Sequence, residues 1–277
     1  MAIDALSFAD EVRTAGEALS PTRANLLAAR DIAYADLRPS TVLAELDALA
    51  TQAASAIAAH STLSGRGQAL AEYLFQTHGL HGNREEYGDP RNSYIHEVLR
   101  RRLGLPISLS AIFLHIGARL GLPVSGVGMP GHFIVCVPAE GSALYLDPFN
   151  GGQPLTREAC AELVQQATGY HGGFDQRWLN PTRPHDIVAR MLGNLRNTYT
   201  QMEDWPVLLR VVERLCELQP EEPAHVRDLG TVLYRVGALR RAVDRLGEYL
   251  ARAPRAADVD QVRQSRDMLL DELSRLN

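Results

Sequence analysis

The sequence predicts an α+β core, helix-rich and built on one small antiparallel sheet, followed by an all-α region. Three observations predict it. From Ile107 to Leu120 the chain has the length of a helix and is apolar almost all round, so this helix is expected to be buried on most sides. Three short runs of valine and aromatic β-formers follow at about 124–128, 132–137 and 143–147, the composition of strands packed in a layer. Beyond "WLNPTRPHD" no strand signal returns, and Pro220 and Pro254 stand 34 residues apart, a period that marks repeated helix pairs.

The elements follow in order. Pro21 opens an early helix, where a first-turn proline is tolerated, with Leu26, Leu27, Ile32 and Tyr34 as its apolar face. Ser40-Thr41 precedes another, with Val42, Leu43, Leu46, Leu49 and Ile57 at helical spacing. "STLSGRGQAL" is a break, and Gln68 to Gln76 a further helix. The irregular "HGLHGNREEYGDPRN" ends near Asn92-Ser93, the expected cap of a helix carrying Ile95, Val98 and Leu99. Arg100-Arg101-Arg102 before Gly104 reads as a capped helix end. Gly-Leu-Pro brackets the buried helix at both ends. The Pro-Ala-Glu-Gly turn between the last two strands predicts a hairpin. In the C-terminal region a unit ending on Pro254 places Leu229-Gly230 in its first helix and Ala242 in its second, small residues where two helices cross closely. The unit ending on Pro220 carries Leu192, Leu195 and Tyr199 but has Arg196 in the glycine position. A last helix, about 256–275, is expected to cap the stack. The expected division is 1–77 as a helical region packed on the core, 78–183 as the core, and 184–277 as the helical domain.

Bulk chemistry excludes several function classes. With 28 basic against 33 acidic residues the net charge is −5, so there is no cationic surplus to hold a polyanion, and nucleic acid is not expected as a partner. "MAIDALSFADEV" has neither a basic start nor an apolar core, and no window is apolar for long enough to span a bilayer, so neither a signal peptide nor a membrane span is expected. Cys136, Cys160 and Cys216 are odd in number and free of any CxxC pattern, which points to a reducing, cytoplasmic setting. His78, His81, His96, His115, His171 and His185 show no metal-ligand spacing, and neither metal nor cofactor is expected.

Candidate chemistry concentrates in "GMPGHFIVCVPAEGSALYLDPFNGG", which puts His132 at the start of one strand and Asp147 at the end of the next. The order of buried helix, strand with histidine, strand with aspartate resembles the transglutaminase-like core, a branch of the papain-like fold. "GLP" after the helix, "GHFIVCV" and "LYLDP" carry that resemblance over about residues 90–152. With the helices downstream the chain resembles more narrowly the SirB-type bacterial proteins, in which such a core precedes tetratricopeptide-like repeats; "DPRNSYIHEVL", "GLPISLS" and "DPFNGG" carry this closer likeness. The resemblance implies a cysteine nucleophile at the start of the buried helix, His132 as its base and Asp147 as the carboxylate that orients the imidazole. Counting back from Gly121-Leu122-Pro123 by the family's spacing lands on Pro106, which has neither a nucleophilic atom nor an N–H to offer an oxyanion.

Two other residues are candidate nucleophiles. Ser108 and Ser110 lie in the first turns of the same helix, Ser108 the better placed, although hydroxyls there ordinarily cap the helix. Cys136 shares a strand face with His132, although its neighbours Ile134, Val135 and Val137 suit an inert buried thiol. The His132–Asp147 pair itself reads either as a site or as a structural tie between strands. Asp89, Arg91 and Asn92 are expected to rim the cleft, with Asn150 in an Asn-Gly-Gly turn as a further binding residue. The expected function is a non-catalytic transglutaminase-like protein with tetratricopeptide-like repeats that binds a protein or peptide partner. The alternative is a hydrolase or acyltransferase using Ser108 or Cys136 with His132 and Asp147.

Overall fold

A computed structural model describes residues 2–139, 141 and 143–276. Four helices lead in: α1 (Phe8–Ala15), α2 (Pro21–Ile32), α3 (Pro39–Ala58) and α4 (Leu63–Ala71), the last running on as a π turn over Glu72–Thr77. Strand β1 (His81–Gly82), helix α5 (Ile95–Arg101) and strand β2 (Leu103–Gly104) precede helix α6 (Pro106–Arg119), with β1 and β2 paired in parallel. Strands β3 (Ser125–Met129), β4 (His132–Val137), β5 (Leu144–Asp147) and β6 (Gln153–Leu155) then form an antiparallel sheet in sequence order. Helices α7 (Arg157–Thr168), α8 (Pro184–Gln201), α9 (Trp205–Leu218), α10 (Pro223–Arg235), α11 (Leu239–Arg252) and α12 (Val259–Leu276) complete the chain.

The sheet is covered on both faces, which is why β4 is apolar at every position after His132 instead of alternating. Phe133, Val135 and Val137 point into a core with Leu109, Ile112, Phe113 and Ile116 of α6. Ile134 and Cys136 point the other way, into a layer with Val127, Met129, and Cys160 and Val164 of α7. Ile112, Phe113 and Ile116 are fully buried, each side chain contributing about 1.5–3 kcal/mol by leaving water. The expected hairpin joins β4 to β5 with Val137 opposite Leu144; Glu140 of its turn lies outside the described residues.

Several local expectations are corrected. The cap of α5 is not Asn92-Ser93: the Ile95 N–H donates to Oδ1 of Asn25, 2.9 Å away on α2. The left-handed residue that ends α5 is Arg102, at φ 60°, with no glycine in that role. Helix α3 begins at Pro39, so Ser40 lies inside it. Strand β6 carried no sequence signal because "QPL" is short and contains proline, which an edge strand tolerates.

Helices α8 with α9 and α10 with α11 form two antiparallel pairs with α12 against the second. A Cβ on Gly230 would lie 2.7 Å from Leu246 Cδ2 and 3.2 Å from the Leu246 nitrogen, so α10 and α11 cross where only glycine fits. Ala242 is fully buried at the same crossing. In the first pair Arg196, standing where the repeat has glycine, turns its guanidinium to Asp228 at 3.1 Å. Helix α8 serves two cores at once. Ile187 and Met191 pack with the sheet and α6, while Val188, Leu192, Leu195 and Tyr199 pack with α2 and the later helices.

Candidate functional site

His132 is set by a two-residue turn. Met129 pairs with His132 across the β3–β4 ladder, leaving Pro130 and Gly131 as the loop, and Gly131 takes φ 72°, the geometry of a type II turn with proline first and glycine second. A Cβ on Gly131 would meet Ala167 of α7 at 2.5 Å, so the turn is pressed against that helix. His132 is thereby fixed at the start of β4, 8% exposed.

Asp147 ends β5 and is wholly buried. Its carboxylate accepts from His132 Nε2, 3.0 Å from both oxygens, from the backbone N–H of Phe149 at 3.1 Å and of Asn150 at 3.3 Å, and from Asn150 Nδ2 at 2.6 Å. With a carboxylate as partner, Nε2 is the donor, which leaves Nδ1 turned away from Asp147. Nδ1 has no hydrogen-bond partner among the described residues. Phe149 stands edge-on to the imidazole with centroids 6.2 Å apart. Gly151 and Gly152 after Asn150 take positive φ, as the Asn-Gly-Gly turn requires.

A cavity of about 140 Å³ opens beside this pair. Pro106 and Ile107 bring the start of α6 to it, Gly131, His132 and Phe133 the turn and strand, Arg190 and Asn194 helix α8, and Tyr87 the outer wall. Pro106 and His132 therefore share one cavity, the relation that the helix-to-strand spacing requires of a nucleophile and its base. Tyr87 is held in place by its loop: Asn83 Nδ2 donates to Asn92 Oδ1 at 3.0 Å, and Asn92 Nδ2 to the Glu86 carbonyl at 2.7 Å.

Of the other expected site residues, Asn150 touches Asp147 and the rest are engaged elsewhere. Ser108 is fully buried; its hydroxyl accepts the Leu105 N–H at 2.9 Å and donates to the Asn92 carbonyl at 2.7 Å. Ser110 donates back to the Pro106 carbonyl at 2.7 Å. Cys136 is in the apolar layer under α7, about 13 Å along the strand from His132 at the usual rise per residue, and burial pushes its thiol pKa up. Asn92 is buried in the loop network, and Arg91 pairs with Asp89 at 2.7 Å. Asn150 sits beside Asp147 and accepts from Arg84. Among the described residues no cluster of three His, Cys, Asp or Glu side chains is arranged to hold a metal, and no helix is long and apolar enough to cross a membrane.

Sequence reasoning missed Arg190, Asn194 and Tyr87. Arg190 Nη1 donates to the Met129 carbonyl at 3.0 Å and Nη2 to the His132 carbonyl at 2.8 Å, and its guanidinium carbon is 5.5 Å from the Phe133 ring centre. It comes from 58 residues downstream of His132 and belongs to no local motif, so only the packing of α8 reveals it.

The geometry agrees with comparison to known proteins. The family described as "Transglutaminase-like superfamily" matches residues 40–193, and "Tetratricopeptide repeat" matches residues 195–266. A UPF0162 protein of Xylella fastidiosa is 40% identical over 198 residues, covering 70% of each chain. A UPF0162 protein of Vibrio cholerae is 29% identical over 218 residues, covering 76% of this chain and 78% of that protein. F-box only protein 21 of Homo sapiens is 34% identical over 137 residues, 46% of this chain and 20% of the human one. No solved structure gives a significant match. With its buried helix, histidine and aspartate strands in the family's order and tetratricopeptide helices behind them, the chain belongs to the transglutaminase-like superfamily and groups there with the UPF0162 proteins.

Proposed function

We propose that the chain is a non-catalytic transglutaminase-like protein that binds a protein or peptide through the cleft at His132 and its tetratricopeptide helices. One observation carries this reading: the residue that shares the cavity with His132 at the head of α6 is Pro106. An imidazole with a free Nδ1 and an orienting carboxylate faces a side chain that has no proton to give and no atom to attack with. The alternative nucleophiles fit poorly, since the Ser108 hydroxyl is engaged on both sides and Cys136 lies in the apolar layer. A buried, multiply bonded Asp147 is then a tie between β4, β5 and the turn after it, and the cavity a recognition pocket.

The tetratricopeptide helices support the binding side of the proposal, because stacked helix pairs present extended surfaces to protein partners. A separate groove between α8, α9 and α10 is lined by Asn197, Gln201, Trp205 and Thr231, and its Asn197 stands three residues after the cavity's Asn194 on α8. The order of core then repeats supports placing the chain with the SirB-type proteins, and three free cysteines support a reducing cytoplasmic setting. The test is a screen of peptide, ester and amide substrates with the native protein and His132→Ala. No turnover by either is expected; turnover that His132→Ala abolishes would overturn the proposal in favour of a hydrolase or acyltransferase.

A further inference from the structure

Arg190 and Asn194 stand at i and i+4 on α8, which puts both side chains on one helix face, and both line the cavity with His132. Arg190 is half-buried and spends two of its five N–H groups on the Met129 and His132 carbonyls. Among the described residues no carboxylate pairs with it, and the Asn194 carboxamide has no hydrogen-bond partner. None of the described residues lining the cavity is acidic, and Tyr87 is among them. Asp147, behind the His132 ring, has both oxygens committed to His132 and the turn that follows. A cation and an amide with unused donors thus face a space without a counter-charge, an arrangement whose desolvation cost an anion would offset. Burial accordingly lowers the Arg190 pKa from its ordinary value.

We propose that this cavity binds a carboxylate of a peptide ligand, with Arg190 and Asn194 as its donors. The inference deepens the peptide-binding reading and rests on it. A single unpaired cation matches a monoanion, whereas a phosphate dianion would leave negative charge uncompensated close to Asp147. The guanidinium fork suits the two oxygens of a carboxylate. A cavity of about 140 Å³ has room for that group and its adjoining carbons and opens to solvent, where the rest of the ligand would lie. Asn197, one turn beyond Asn194, begins the groove toward Trp205, which gives the emerging chain a path along α8.

The test uses the full chain, calorimetry and side-chain NMR of the arginine Nε–H groups. The probes are an acetylated, amidated Gly-Gly-Glu-Gly-Gly, its Gln counterpart, and an acetylated pentaglycine with a free C-terminus. Saturable binding of at least one carboxylate peptide, with a shift at Arg190 and at least about tenfold weaker binding of the Gln peptide, is expected. Which carboxylate peptide binds tells a side-chain from a terminal source. Arg190→Met should weaken binding by about 10- to 100-fold. Asn194→Leu, which leaves the ties from Arg190 to the sheet intact, should also weaken it if the first variant fails to fold. Equal affinity of the Gln peptide and the tighter-binding carboxylate peptide, absence of binding by both carboxylate peptides, or native affinity in Asn194→Leu would overturn the inference. Equal affinity leaves peptide binding standing; His132-dependent cleavage of a probe would instead overturn the non-catalytic reading, with the Glu-to-Gln difference still deciding the role of Arg190.

Discussion

Replacing Pro106 by cysteine tests whether this position is the nucleophile's. Pro106 is the first residue of α6, where the backbone N–H has no partner within the helix, so cysteine breaks no helical bond. The loss of proline's restriction of the unfolded chain costs about 0.4–1 kcal/mol, which the fold should survive. The informative pH is about 5.5. There a free thiol of pKa about 8.5 is about 0.1% thiolate, whereas a thiol activated by the neighbouring imidazole, with a pKa brought to about 5.5, is about half ionised. The gain of about 500-fold in thiolate is offset about 20-fold by its weaker nucleophilicity, leaving iodoacetamide labelling about 20-fold faster than that of free cysteine. The native thiols give little background, because burial pushes Cys160 and Cys216 up to about 11 and raises Cys136 as well. His132→Ala in the same background should return the rate to that of free cysteine. Labelling no faster than free cysteine at pH 5.5, or an increase that persists without His132, would refute the placement of the nucleophile at residue 106.

Other outcomes follow from the packing. Ser108→Ala removes the hydroxyl that bridges the Leu105 N–H and the Asn92 carbonyl, leaving only the 3.3 Å bond between those two groups, and should lower stability by about 0.5–1.5 kcal/mol in urea unfolding; an unchanged midpoint would show that the hydroxyl holds nothing. Gly230→Leu drives a side chain into the space held by Leu246 and should cost about 1–3 kcal/mol or more, read as a fall in Tm; an equal or higher Tm would mean that the crossing is loose. Burial pushes His96 down to about 4; among the described residues neither ring nitrogen has a hydrogen-bond partner, and Glu97 stands 3.9 Å from Nε2. The unfolded chain binds this proton near pH 6.5 and the native protein only near 4, so the contribution is intact above about 6.5 and is lost as pH falls toward 4, on the order of 3 kcal/mol in all. Urea midpoints from pH 7.5 to 4.5 should fall less steeply in His96→Phe than in the native protein, and parallel curves would rule this source out.

Much of the architecture is legible because it is written in local pattern. The all-round apolar run from Ile107 names α6, the valine runs name β3 to β5, and the spacing of Pro220 and Pro254 names the α10–α11 pair. His132 and Asp147 are legible for the same reason, each marking the end of a strand. What stays hidden is long-range. Asn25 caps α5 from 70 residues away, and nothing in "PRNSYIH" announces that its own asparagine is turned inward to tie a loop. Arg190 looks in sequence like a solvated helix arginine, one of many, until α8 is laid across the turn before β4. A cavity is a property of the space between elements, and single-sequence periodicity describes only the elements.

The two family matches meet at residues 193 and 195, in the middle of α8. The seam between the two ancestral modules is thus not a linker but the interior of one continuous helix, with Met191 anchored among the sheet's residues and Leu195 among those of the repeats. Cutting there would sever consecutive backbone hydrogen bonds and strip apolar surface from both halves, so a protease acting on the native protein should find no soft junction and release no intact repeat fragment. It also means that one unbroken helix carries both Arg190, held against the His132 carbonyl, and Leu195, packed among the repeats, so the sheet's turn and the helical array share a single rigid element.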